Sequence, residues 1–514
     1  MYWDDRIWVA SSRTERLGIL LRMANRHGLI AGATGTGKTI TLKVMAESFS
    51  DAGVPVFLSD VKGDLSGMCC PGQDSADMQA RMERFGLKES GFSFHAYPTQ
   101  FWDILGKRGT ALRTTVSEFG PLLFARLLGL NKIQGDLLDV VFRIADEEGL
   151  LLLDLKDLRA MLNYVEEHAP DYRMRYGNIG KNSIGAIMRA LVSLEGRGGD
   201  HFFGEPALEL SDWMQQGENG RGMIHILDST SLIGDPLIYS TFMLWLLTEL
   251  FERLPEVGDR EKPEMVFFFD EAHLLFEGAP KALLDKIEQV VKLIRSKGVG
   301  VYFITQNPGD IPGAVLAQLG NKVQHALRAY TPAEQKGIKA AAESFRVNPA
   351  FDTAEAMQNL RTAEAVVSFL QEDGAPEICR IADVLPPQSL MGAADAAVQQ
   401  QMIVNSELNE KYGEPIDRES AYERLLRKYD ADAAEAEKKK REDEEERQAE
   451  KQKKRDEMKK KRTAASIGNA AVGTIGRELG NNIGKSIGGS FGRRIGGNVG
   501  ASIGRGLLKT LLNL

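Results

Sequence analysis

Short apolar runs closed by turn residues alternate with longer stretches of helical spacing along much of this chain. "HGLIAGA" reads as a strand entering a glycine-rich loop, "TITLKVMAESFSDAG" as a helix closed by Gly53, and "VPVFLSD" as a buried strand ending at Asp60. Strand, helix and strand in that order make a βαβ unit, the crossover that a parallel sheet requires. Strand-like runs return at "GMIHILD" (222–228), "EMVFFFDEA" (264–272), "GVGVYFITQ" (298–306), "NKVQHALRAY" (321–330) and "AEAVVSFLQ" (363–371). Helical runs such as "PLIYSTFMLWLLTELFERL" lie between them. The expected fold class is therefore α/β, doubly wound around a mostly parallel sheet.

Residues 101–215 have a different texture. "LLFARLLGL", "GDLLDVVFRIADEEGLLLLDLKDLRAMLNYVEEH" and "SIGAIMRALVSLEGRGG" carry helical spacing and few strand signals, which predicts a helical subdomain inserted between core segments 1–100 and 216–390. After Pro386 and Pro387 the sheet pattern stops, and residues 391–430 read as one or two C-terminal helices on the surface. Residues 431–462 are mostly charged, with both signs mixed and almost no apolar residue, so no heptad seam exists. A solvated single helix or a disordered linker fits them.

The last segment, 463–514, changes again. Glycine recurs every fourth residue from Gly476 to Gly504, each preceded by an apolar residue from Ile475 to Ile503. On a helix this makes a glycine groove beside an apolar ridge. Each interior glycine costs a lone helix about 1 kcal/mol against alanine, so order there calls for a packed partner. Arg477, Lys485, Arg493, Arg494, Arg505 and Lys509 exclude a simple spanning helix and suit an anionic membrane surface. Self-association, docking to a protein and membrane-surface contact are the functional readings, beside a plain flexible tail.

Bulk numbers narrow the function less. At 514 residues, 43% apolar and 26% charged, the chain suits a soluble protein of two or three domains. A net charge of −8 argues against a broadly basic nucleic-acid surface but not against DNA gripped in a narrow pore. Cys69, Cys70 and Cys379 have no zinc spacing and read as reduced thiols. With no signal peptide and no unbroken apolar window of about twenty residues, a cytoplasmic protein is expected.

The chemistry starts at Gly32-Ala33-Thr34-Gly35-Thr36-Gly37-Lys38-Thr39, followed by Ile40, which matches the phosphate-loop pattern G-x-x-x-x-G-K-[ST] at every fixed position. Its glycines let backbone N–H groups approach phosphates, Lys38 reaches the β- and γ-phosphates of ATP, and Thr39 offers its hydroxyl to Mg²⁺. In "MVFFFDEAHLLF" an apolar strand delivers two acids. Asp270 is placed for Mg²⁺ and Glu271 for deprotonating a water, although such a pair also caps helices. "VYFITQNPGDIP" delivers Gln306 at a third strand end, where an amide can meet the γ-phosphate and the water.

Together "LIAGATGTGKT", "FLSDVKGDLSG", "FFFDEAHLLF", "SKGVGVYFITQNPGDIP" and "LGNKVQHALRAYTP" resemble the HerA/FtsK superfamily of P-loop ATPases, and most of all its bacterial YjgR-type, HerA-like proteins. The resemblance runs from about residue 22 to 390 and extends to the glycine-rich tail. It implies a RecA-like (ASCE) core in which the phosphate-loop strand and the Asp-Glu strand flank the strand carrying Gln306. It also implies a homo-oligomer, typically a hexameric ring with ATP between subunits, in which several members pump double-stranded DNA. Such rings complete the site with a neighbour's arginine. Arg295 and Arg328 are the positions carried over, each equally readable as a surface or ion-paired arginine. Asp60 and Lys62 match a superfamily pattern at the second strand's end.

One departure is visible. HerA-type translocases usually carry an N-terminal β-barrel, and the roughly twenty residues before the resemblance begins are too few for one, so none is expected there. Three functions follow as expectations: an ATP-hydrolysing motor on DNA, an ATPase acting on a protein or membrane assembly through the insertion or tail, and a slow nucleotide switch.

Overall fold

A computed structural model describes residues 1–465 apart from 13–14, 233, 259, 278–280 and 330. Most of the glycine-repeat tail therefore lies outside the described residues. Residues Met1–Tyr429 form one compact unit, and Asp430 begins a second.

The first unit is organised by a single sheet. Its described strands are β1 (Tyr2–Trp3), β2 (Arg6–Ser12), β3 (Glu15–Leu20), β4 (Gly28–Ala31) and β5 (Val56–Asp60). Then come β6 (Thr99–Asp103), β7 (Thr110–Ala111), β8 (Ile224–Asp228) and β9 (Met265–Phe269). The last are β10 (Val299–Thr305), β11 (Asn321–Gln324), β12 (Glu364–Ser368) and β13 (Arg380–Val384). The order across the sheet is β1-β2-β13-β12-β11-β4-β10-β9-β5-β8-β6-β7, with β3 paired to β2. From β11 to β7 every pairing is parallel, and from β11 the other way to β1 every pairing is antiparallel.

Burial on both faces explains the continuous apolar runs of the central strands. In β9, Phe267 and Phe269 join one core with Phe57, Trp213 and Phe303. Val266 and Phe268 join the opposite core with Leu58, Tyr302 and Phe49. Phe49 belongs to the helix Lys38–Asp51, which packs Leu42, Met45 and Phe49 on that second face. Its chain then turns through Gly53, whose φ of +72° suits a residue without Cβ.

The first face is covered by the helix Pro236–Arg253 and by helices between Val116 and Phe202. Three of the latter start with reciprocal capping boxes, Thr115 with Glu118, Asn131 with Gln134, and Asp154 with Asp157. The rings of Phe119, Phe124, Phe203 and Trp245 pack together within this layer.

Several elements differ from the sequence reading. Strand β6 crosses the boundary drawn at 100/101: its "TQFWD" has a polar start, yet Gln100 is buried and bonded to Thr110 Oγ1 at 2.9 Å. The N-terminal β1–β3 and the late β13 form the antiparallel edge, which local pattern did not reveal. Strand β11 stops at Gln324 rather than 330, because the next residues brace the phosphate loop. Residues 391–430 are not merely superficial either: helices Ala396–Val404 and Glu407–Tyr412 precede a third, and Tyr412, Ala421 and Leu425 are in the core. That third helix, Ala421–Ala465, includes the charged run, whose side chains from Asp430 to Asp456 are exposed. No described helix is long and apolar enough to cross a membrane.

Candidate active site

Three adjacent parallel strands, β4, β10 and β9, end side by side. The phosphate loop leaves β4, Gln306 follows β10, and Asp270 and Glu271 follow β9. The strand carrying Gln306 thus lies between the other two, as the family resemblance implies.

Gly32, Gly35 and Gly37 have φ of +153°, +77° and +122°. A Cβ on Gly32 would stand 2.5 Å from the Cβ of His325, so the loop needs glycine there for space as well as conformation. The Lys38 ammonium donates to Gly32 O (2.6 Å) and Ala33 O (3.1 Å), and Thr36 Oγ1 donates to Ala33 O (2.7 Å). Burial holds the Lys38 pKa below its ordinary value, with the nearby Lys62 adding to the effect and Glu271 and Asp270 opposing it. Beside the first helical turn lies an open cleft of about 290 Å³, lined by Thr39, Ile40, Lys43, Lys62, Asp64 and Thr362 among others.

Asp270 and Glu271 are held differently. The Tyr239 hydroxyl donates to Asp270 O (2.7 Å) and accepts from Ser59 Oγ (2.9 Å), which accepts from Asp270 N (3.2 Å). This buried circuit pins the strand end. Burial and then the Glu271 charge raise the Asp270 carboxyl from 3.8 to about 6, against Lys62 and Lys38. Glu271 adopts φ +49°, a left-handed conformation that costs a non-glycine residue on the order of 1 kcal/mol. Both its oxygens lie 3.5 Å from Gln306 Nε2, and Thr34 Oγ1 lies 3.5 Å from Gln306 Oε1. These contacts are long, at the outer limit of hydrogen bonding. They nonetheless string loop, amide and acid into one line.

Asp60 has another occupation. Its carboxylate accepts from Gly63 N (2.7 Å), Leu65 N (2.9 Å) and Lys62 N (3.2 Å), and burial raises it to about 6. Asp60 folds the turn, and the turn presents Lys62 to the cleft. The two candidate arginines stand at opposite ends of the sheet. Arg295 lies in the 3₁₀ turn Ile294–Lys297, before β10, whereas Gln306 follows it. Seven strand residues separate those ends, about 20 Å at roughly 3.3 Å per residue. Arg328 is at the loop's end of the sheet but contacts Gln358 O at 3.4 Å.

Two histidines escaped the sequence reading. His273 places Nδ1 3.4 Å from Glu271 Oε2. His325 is fully buried beneath the loop: Nδ1 donates to Glu364 O (2.9 Å), which leaves Nε2 to accept from the Thr41 hydroxyl (2.7 Å). Burial, with Lys38 adding, lowers its pKa to about 4, so the ring is neutral. Ala326 O accepts from Ala33 N and Thr36 O from Ala363 N, so the β11–β12 connection braces the loop at both its ends. No local pattern marks His325, which follows the short and mostly polar β11.

A glycine loop on a lysine-bearing helix, beside an acid pair and a central-strand glutamine, defines a RecA-like P-loop NTPase core. Residues 6–513 match the family of helicase HerA-like C-terminal proteins, and the chain belongs to that family, within the HerA/FtsK superfamily of P-loop ATPases. It is 20% identical over 380 residues to the DNA double-strand break repair helicase HerA of Sulfolobus acidocaldarius, covering 71% of this chain and 66% of that one. The match thus spans just under two thirds of that relative. Among solved structures, the bacterial conjugative coupling protein TrwB in its unbound form superposes with a TM-score of 0.51 at 14% identity. Plasmid coupling protein TrwB bound to a non-hydrolysable GTP analogue gives 0.50, also at 14%. Each covers 77% of this chain and 92% of the solved one. At that identity the likeness is one of fold.

Proposed function

We propose that this protein hydrolyses ATP with Mg²⁺ and, assembled as a ring, uses the energy to move double-stranded DNA. The observation that carries hydrolysis is Gln306, set between Thr34 of the phosphate loop and the Glu271 carboxylate. A switch that only binds nucleotide needs no base aligned with an amide at the loop.

The residues present fit the metal. Thr39 and Asp270 offer oxygen donors of the kind Mg²⁺ takes, and the crowding of Asp270 against Glu271 is a charge excess that a cation relieves. When bound, Mg²⁺ offsets charge on the phosphate oxygens. The chain's own groups do the rest. Lys38, now on Gly32 O and Ala33 O, exchanges those carbonyls for phosphate oxygens. Glu271 takes the proton of the attacking water, and Gln306 orients that water between the acid and the loop. Thr34 to Thr39 and Ile40 hold the nucleotide along the cleft. Arg295, at the far end of β10, and the exposed Arg328 serve a neighbouring subunit's site, where a guanidinium stabilises the transition state.

DNA as substrate is supported by family membership and by what the Sulfolobus relative is named for. The test is ATP turnover by the purified chain, with and without long double-stranded DNA, beside Glu271→Gln. DNA stimulation that the variant loses supports the motor. A variant as active as wild type overturns the base assignment. Turnover that needs Glu271 but ignores DNA transfers the reading to a protein or membrane assembly reached through the helical insertion or residues 463–514.

A further inference from the structure

At the opposite end of β4, β10 and β11 from the phosphate loop is a second open cavity, of about 330 Å³. Arg26, Arg295 and Lys322 line it, with the hydroxyl residues Ser344 and Ser368. No carboxylate lines it among the described residues. Arg26 ends the 3₁₀ turn Leu21–Arg26 that leads into β4, and its guanidinium lies over Gly374. A Cβ there would stand 2.8 Å from Arg26 Nη1, so the chain is bare where the guanidinium rests. Lys322, on β11, donates to Ser344 O at 2.8 Å. Burial is what lowers its pKa, with no acid compensating among the described residues. The acids of the adjoining turn are engaged elsewhere: Glu372 pairs with Arg22 at 2.9 Å and Asp373 caps Ala375 N at 2.8 Å.

Setting Arg26 and a largely buried Lys322 around a cavity whose lining holds no carboxylate costs desolvation and mutual repulsion. Such a cost is relieved when an anion enters, and a multivalent oxyanion engages both cations at once. We propose that this cavity is a second anion site, which takes a phosphate group through Arg26 and Lys322, at the end of the sheet remote from the phosphate loop. The phosphate can come from free polyphosphate or nucleotide, or from a nucleic-acid backbone.

The test uses the full chain carrying Lys38→Ala, which disables the phosphate loop. Calorimetric titration with inorganic tripolyphosphate is expected to show residual binding, weakened about tenfold or more by adding Arg26→Ala and Lys322→Gln. In parallel, duplex DNA binding is followed across a salt series. If the backbone is the source, the same pair of substitutions lowers the salt slope by about 1–2. Loss in the first assay alone assigns free polyphosphate, and loss in the second alone assigns nucleic acid; both support the site. Unchanged behaviour in both overturns it. Arg26→Lys with Lys322→Arg keeps the charges and is expected to keep binding, and Arg26→Ala alone carries the test if the double variant fails to fold. Neither assay needs hydrolysis, so failure of the ATPase reading and failure of this site are distinguishable.

Discussion

Glu271 carries the sharpest residue-scale prediction. Removing its basicity while keeping its shape, as Glu271→Gln, is expected to lower turnover by about 10²–10⁴ and to leave ATP affinity near wild type. Equilibrium binding of a fluorescent ATP analogue beside steady-state turnover checks both halves. His325 predicts the converse pattern. Thr41→Val leaves the buried Nε2 without its donor, a cost of about 1–3 kcal/mol. Nucleotide affinity should fall about tenfold while turnover at saturation changes less, since the ring braces the loop and touches no reacting atom. Asp270 sets a pH dependence of stability. Its folded pKa of about 6 exceeds the ordinary 3.8, so between those values the folded chain keeps a proton that the unfolded chain has lost. Stability therefore falls as pH rises through that window. Asp270→Asn removes the penalty, so it should melt above wild type at about pH 7, with the gap closing near pH 4. Equal melting temperatures at about pH 7 would show that the charge is solvated after all.

At the scale of elements, the phosphate-loop helix is latched from outside the sheet. Glu47, buried in that helix, accepts from Gln388 N (2.7 Å) and Ser389 N (3.1 Å), and Lys43 donates to Leu390 O. Two charged residues inside a helix thereby tie down the strap that follows the sheet. Glu47→Gln puts an amide where a backbone donor points and is expected to cost about 1–3 kcal/mol in urea unfolding, less whatever is regained by not burying a charge. Sequence pattern read the helix correctly, because its spacing and Gly53 are local signals. It held no hint of the latch, because Glu47 and Gln388 are far apart in the chain. The same distinction separates the central strands, buried on both faces and uniformly apolar, from β6 and β13, whose mixed residues become strands only against their neighbours.

At the scale of the molecule, the position of Arg295 matters most. With about 20 Å of β10 between it and its own loop, a part for Arg295 in hydrolysis, as proposed above, requires the loop of another subunit. Mixing Glu271→Gln with Arg295→Ala, each inactive alone, should restore measurable turnover, because some interfaces then pair an intact base with an intact arginine. Mixtures as silent as their components would remove Arg295 from the reaction and leave Arg328 to be tested the same way.

Sequence alone determined the class of chemistry and the central strands that carry it. A phosphate loop, an Asp-Glu pair and a strand-end glutamine are short-range patterns, each legible because loop geometry and burial restrict the residues allowed there. Their convergence needed the tertiary structure: only the pairing of β4, β10 and β9 brings Thr34, Gln306 and Glu271 into line. His325 under the loop, Asp60 engaged by its own turn and Arg26 beside Lys322 were likewise decided by packing. Residues distant in sequence acquire such roles from the neighbours that the folded chain supplies, and no local pattern encodes those neighbours.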